Sequence, residues 1–200
     1  MDAIETLMIE HRLIERTLDA LVAFADEARR SGRDDREELG RFATFIRQFA
    51  DAHHHGKEED ILFATMVEAG FPRHGGPIAV MLMEHDQGRA YVRALSDLAT
   101  QQAAWSGADR QRLGEAAHGY ANLLRAHIHK EDAILYPMAE QRLPAEALGH
   151  IEAECGAYEA RQAASGELGR LTALAGELQA RHPSRAGEAP PRRLQAGGCC

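Results

Sequence analysis

Along the first thirty positions the apolar residues Ile4, Leu7, Ile14, Leu18, Leu21 and Ala25 recur in steps of three and four. That spacing marks the buried stripe of an amphipathic helix. One step is polar: position 11 is a histidine. The stripe Leu113, Ala117, Tyr120, Leu124, His127, Glu131, Ile134, Met138 repeats the arrangement, with polar residues in its middle. So does Ile78, Met81, Leu82, His85, Val92, Leu95. Turn-forming stretches separate these segments. They are RRSGRDDR (29–36), AGFPRHGGP (69–77), WSGADR (105–110) and RLPAEA (142–147). Pro77 suits a first helical turn, and Asp109 suits an N-cap.

The spacing therefore predicts helices over about 3–30, 36–69, 77–105, 110–142 and 145–181. Four long helices with short connections predict an all-α fold, an antiparallel up-down four-helix bundle with an additional C-terminal fifth helix. Gly156, Gly166, Gly169 and Gly176 weaken that fifth helix, so it needs the bundle to pack against. Pro137 falls inside the fourth helix and predicts a bend. The expected division is a bundle over 1–143, a C-terminal helix over 144–182 and a disordered tail, rich in proline and glycine, over 183–200.

Composition narrows the classes. The chain has 200 residues, 6% aromatics and a formal net charge of −8. Few aromatics with abundant Ala, Leu, Glu and Arg favour helix, and the acidic balance argues against a nucleic-acid partner. No apolar run reaches the roughly 18 residues that span a bilayer. The opening MDAIETLMIEHR has no basic n-region, so the expected compartment is the cytoplasm. The cysteines Cys155, Cys199 and Cys200 are too few for a disulfide framework.

The polar interruptions are themselves repeated. MIEHR (8–12) matches LMEHD (82–86), and HHGKEEDILF (54–63) matches HIHKEDAILY (127–136). Each half thus offers one lone histidine and one His-x-x-x-Glu pair, whose members share a helix face. Two ionised glutamates in a bundle core are costly unless compensated. No Lys or Arg lies on the inner stripes of the first and fourth helices; Lys57 and Lys130 are one residue away from the pairs' glutamates. Metal ions would resolve the cost, and imidazole with carboxylate suits iron, manganese or zinc. The candidate ligands are His11, His54, Glu58, His85, His127 and Glu131. A shift of one residue would make the second-helix pair His55 and Glu59.

The pattern H…HxxxE…H…HxxxE over about residues 4–140 resembles the hemerythrin-like, HHE cation-binding family. The resemblance implies a four-helix bundle holding two iron ions in an oxo- or hydroxo-bridged centre. Glu58 and Glu131 would bridge, and the four histidines would be terminal ligands. Oxygen carriers of the family have a further histidine one turn from the third-helix ligand, where this chain has Met81 and Arg89. They also place an aspartate five residues after the fourth-helix histidine, where this chain has Asp132, so the resemblance sets Asp132 against Glu131; the internal repeat favours Glu131. The four-His, two-Glu set looks more like the bacterial di-iron proteins linked to nitric oxide, peroxide and iron–sulfur repair. The expected function is binding or reaction of a small oxidant or diatomic ligand, O2, NO or H2O2, in stress response or sensing. The alternative is a non-catalytic storage, sensing or structural bundle, with zinc a candidate ion.

The remaining polar residues have plainer expectations. His53 and His55 flank the ligand and should lie on other faces. His118 and His129 should be at the surface or beside the ligands. Glu10 and Glu84, which precede the lone histidines, fit a solvated face or a role orienting an imidazole. Tyr120 and Tyr136 fit core packing or the wall of the site. Glu152, Glu154 and Glu159 should face solvent.

Overall fold

The computed structural model of the protein describes residues 2–183. Cys199, Cys200 and the tail from 184 lie outside the described residues. All regular structure among them is helical: α1 (Ala3–Ser31), α2 (36–68), α3 (Gly76–Thr100), α4 (107–142), α5 (Ala145–Ser165) and α6 (Glu167–Arg181). No helix among the described residues is long and apolar enough to cross a membrane.

The ends follow from local chemistry. Asp2 caps α1 by accepting from the Ile4 N–H, and Gly32 closes it in the left-handed region at φ 75°, donating to the Ala28 carbonyl. Asp35 caps α2. At α4 the cap is Ser106, not Asp109: the serine hydroxyl accepts from the Asp109 N–H, and the aspartate accepts from the Ser106 N–H in return. That reciprocal pair starts the helix earlier than expected. The single helix expected over 145–181 is two, because Gly166 adopts φ 72° and ends α5. Three of its four glycines are tolerated within helix; the fourth supplies the corner.

Both α2 and α4 contain π-helical turns, over Ile46–His55, Glu58–Leu62 and Glu131–Leu135. The latter two begin at the glutamates of the repeated motif: Phe63 donates to the Glu58 carbonyl and Tyr136 to that of Glu131. A π turn holds more residues than an α turn, so it rotates the chain beyond it. The stripe expected through Ile134 accordingly passes through Leu135, which is buried while Ile134 is 50% exposed. Pro137 follows the π turn, within the first turn of the α-helical segment that resumes at Tyr136, and α4 continues through it.

Helix α1 packs along α4, α4 along α3, α3 along α2, and α2 returns to α1. Two apolar clusters fill the interior. One includes Ile14, Leu18, Phe42, Phe49, Leu95 and Leu124; the other includes Leu7, Leu62, Phe63, Met81, Leu135 and Tyr136. The histidines and glutamates of the motif form a polar layer between them. Leu171 and Leu178 of α6 join the first cluster, and Ile151 and Cys155 of α5 the second. Fully burying such side chains contributes about 1.5–3 kcal/mol each. Glu152 also accepts from the Ala3 N–H at 2.7 Å, satisfying a free donor at the start of α1.

Candidate metal centre

The structure brings together the side chains of His11, His54, Glu58, His85, His127 and Glu131, all at most 1% exposed. Donor atoms of His11, His54, Glu58 and Glu131 lie within 4.8 Å of one another. A second group within the same limit joins His55, Glu58, His85 and His127, so Glu58 is shared. His11 Nε2 lies 3.3 Å and His127 Nε2 3.2 Å from Glu131 Oε2. His85 Nε2 lies 3.5 Å and His54 Nε2 3.7 Å from Glu58 Oε2.

Each ring is aimed by a carboxylate behind it. His11 donates from Nδ1 to Asp132 at 2.8 Å, and His85 to Glu59 at 2.7 Å. His54 donates to Glu10 at 2.7 Å, and His127 to Glu84 at 2.9 Å. A neutral imidazole that donates from Nδ1 keeps its lone pair on Nε2, which here points inward. The two registers left open by the sequence separate on this geometry. Glu58 and Glu131 face the interior; Glu59 and Asp132 orient the lone histidines. The chain's duplication extends to these holders. Glu10 and Glu84 correspond, Glu59 and Asp132 correspond, and Lys57 and Lys130 pair with Glu10 and Glu84 respectively. The lysines thus serve the outer carboxylates and leave the inner ones without a lysine partner.

His55 departs from expectation. It is 3% exposed and belongs to the second donor group, although its neighbour His54 is a ligand candidate too. Adjacent residues of an α-helix are about 100° apart, which excludes a common face. His54 and His55 end a π-helical segment, where successive residues are closer in angle. Even His53 is buried, donating to Glu10 at 3.0 Å. The run of three histidines was the sequence signal, and the regular helical angle hid its meaning. Glu159, expected in solvent, is half-buried and pairs with Lys57.

Electrostatics fit a cation-binding set. Burial pushes His54, His55 and His85 down to about 4, with neighbouring histidine charges adding to the effect. These rings are neutral at pH 7, the form that binds metal. His11 and His127 are raised despite burial, by Asp132 and Glu131 for the first and by Glu131 and Glu84 for the second. Burial and the charge of Glu131 drive Glu58 well up. Burial opposes ionisation of Glu131 also, but His127 and His11 outweigh it and hold it low. Glu10 is held far below the usual range because His53, His54 and Lys57 outweigh its burial. Tyr136 donates to Glu58 Oε1 at 2.6 Å and stacks on His11 at 5.6 Å.

Four buried polar atoms in this layer have no hydrogen-bond partner: His54 Nε2, Glu58 Oε2 and both oxygens of Glu131. Buried polar atoms left unpaired are rare and costly. All four belong to ligand candidates, and all lie where the rings converge. Bound cations would satisfy them together, and the imidazole–carboxylate set suits first-row metals.

Comparison with known proteins agrees with this chemistry. The family description "Hemerythrin HHE cation binding domain" matches residues 2–139. Uncharacterized proteins of Mycobacterium bovis and Mycobacterium tuberculosis are 27% identical over 136 residues, covering 66% of this chain and 51% of theirs. The chain thus spans about half the length of these curated relatives. No solved structure matches. Because the matched region takes in both repeated motifs, each ligand candidate and each carboxylate behind it, the chain belongs to the hemerythrin HHE cation-binding family.

Proposed function

We propose that this protein holds two iron ions in the polar layer and uses them to bind or react with a small oxidant or diatomic molecule, O2, NO or H2O2. The supporting arrangement is an antiparallel up-down bundle of α1 to α4 over 1–143, with 144–182 laid against it. His11, His54, His85, His127, Glu58 and Glu131 would hold them, Glu58 being common to both donor groups. The single observation that carries the reading is the set of unpaired buried atoms on His54, Glu58 and Glu131. When bound, iron supplies one-electron redox chemistry and open positions for a small ligand.

The chain's own groups do the rest. Glu10, Glu59, Glu84 and Asp132 fix the rings so that little reorganisation accompanies binding. The apolar clusters on either side exclude water from the layer. The Tyr136 hydroxyl is a proton-bearing donor inside the layer, 2.6 Å from Glu58 and 3.4 Å from His11 Nε2. It can hydrogen-bond a small ligand on that side without any charged group entering the core.

Elemental analysis and an optical spectrum of protein purified from iron-replete cells test the reading. The expected result is about two irons per chain and an absorption band that changes with peroxide or NO. Colourless protein without iron overturns it, and stoichiometric zinc inert to oxidants replaces it with the non-redox alternative.

A further inference from the structure

The duplication is broken in the polar layer, and the breaks are matched. Where the first half has His55, the second has Ile128; four residues earlier, Asp51 is answered by Leu124. Ile128 and Leu124 are ordinary members of the apolar core. On α2 the same two positions are a buried imidazole and a carboxylate facing it at 3.4 Å. A third exchange accompanies them. Arg89, one turn beyond His85 on α3, corresponds to Glu15 on α1. Its guanidinium donates from Nε to Asp51 at 2.9 Å and from Nη2 to Glu59 at 2.6 Å. One rigid fork therefore sets the carboxylates behind two rings, those of His55 and His85.

Those two rings stack, with centroids 3.8 Å apart and planes 12° from parallel. His127 stands edge-on to both. Donor atoms of the three imidazoles and Glu58 converge within 4.8 Å. A histidine filling space in a core would be replaceable by its apolar counterpart, and the other half shows that counterpart in place. Here the chain instead carries a buried imidazole, a carboxylate to aim it and an arginine to hold the carboxylate.

We infer that His55 is a seventh protein ligand, positioned by Asp51 and Arg89, and that it makes the two metal positions unequal. One position has three imidazoles, from His55, His85 and His127, with Glu58. The other has two, from His11 and His54, with both glutamates. The third helix carries no second histidine; α2 supplies the extra imidazole through its π-helical segment. The inference rests on the di-metal reading above.

The test is anaerobic ferrous loading of the full chain, followed by metal titration, Mössbauer spectroscopy and X-ray absorption. Wild type should bind two ions whose spectra are distinct. His55→Ile, which copies Ile128, should weaken one position at least about 10–100-fold, the loss typical of disturbing even a ligand's support. It should also lower the mean histidine count per metal and bring the two signals together. Asp51→Asn and Arg89→Met border a cleft of about 320 Å³ between α2 and α3 rather than the core, so they should fold. Each should weaken the same position about tenfold while leaving the signals distinct. Circular dichroism checks folding, and His55→Gln decides if the isoleucine variant does not fold. Wild type that binds no stoichiometric metal overturns the di-metal reading. Wild type with two ions, and His55 variants that load two with unchanged affinity and spectra, overturns the assignment of His55 alone.

Discussion

The α1–α2 hairpin and the α3–α4 hairpin carry the same set of polar residues, yet they are finished differently. Both have a lone histidine, a His-x-x-x-Glu pair, a glutamate behind one ring and a lysine on that glutamate. Only the first adds His55 and Asp51. Only the second puts a hydroxyl over a ring: Tyr136 lies against His11, whereas its counterpart Phe63 lies against His85. Only the first is sealed from outside. Lys57 is 1% exposed beneath Glu159 of α5, while Lys130 is 32% exposed. The donors and their supports are thus twofold, and the side chains that distinguish one donor group from the other are one-sided.

The largest effect should come from the glutamates that join the halves. Glu58 belongs to both donor groups and Glu131 to one. Glu58→Ala should abolish loading at both positions, and Glu131→Ala should leave one weakened ion, as read by metal content after desalting. Removing Glu58 should also make the chelated protein more stable. Glu58→Leu should raise its unfolding free energy by about 1–4 kcal/mol in urea melts, because a buried carboxyl with one unpaired oxygen is replaced by hydrocarbon. An unchanged or lower value would mean that the polar layer is not strained without its ions.

The lysines come next. Lys57→Met strips a buried cation from between Glu10 and Glu159 and should cost about 3–5 kcal/mol. Lys130→Met, on the open side, should cost at most about 1 kcal/mol. Equal losses would erase the distinction between a sealed and an open hairpin.

Much of this was legible from residue spacing. Steps of three and four placed His11, His85 and the two His-x-x-x-Glu pairs on inward stripes, and the repeat pointed to Glu131 over Asp132. What spacing concealed traces to two causes. A regular helical angle put His55 on an outer face and Ile134 on an inner one, and the π turns reverse both. Contacts between distant segments, such as Glu159 with Lys57 or Glu152 with the start of α1, leave no local pattern. The helix break at Gly166 was within reach, since glycine is the residue that takes a positive φ at low cost, but four glycines in one segment did not say which would use it.

A further predicted effect lies at the far end of α6. The buried carboxylate of Glu38 accepts from His182 at 2.8 Å and pairs with Arg41 and Arg181. Its burial disfavours the charge, but these partners prevail and hold it below its usual value. A depressed folded value contributes stability above the unfolded value of about 4.3, and that contribution is lost as pH falls through the folded value. Glu38→Gln should therefore cost about 1–2 kcal/mol at pH 7 and flatten the acid side of the stability profile. Thermal melts between neutral pH and pH 3 check both the size and the sign.

The wide turns at Glu58 and Glu131 make chain length part of the site. Each takes up a residue that an α-helical path between the same ends would not need. Deleting exposed Asp60 would let α2 return to a regular ladder at the Glu58–Leu62 turn while turning every side chain on one flank by about 100° relative to the other. Helices usually suffer from insertions and deletions because register fails. Here an irregular count is the register, and a shorter, more regular α2 would be the damaged one.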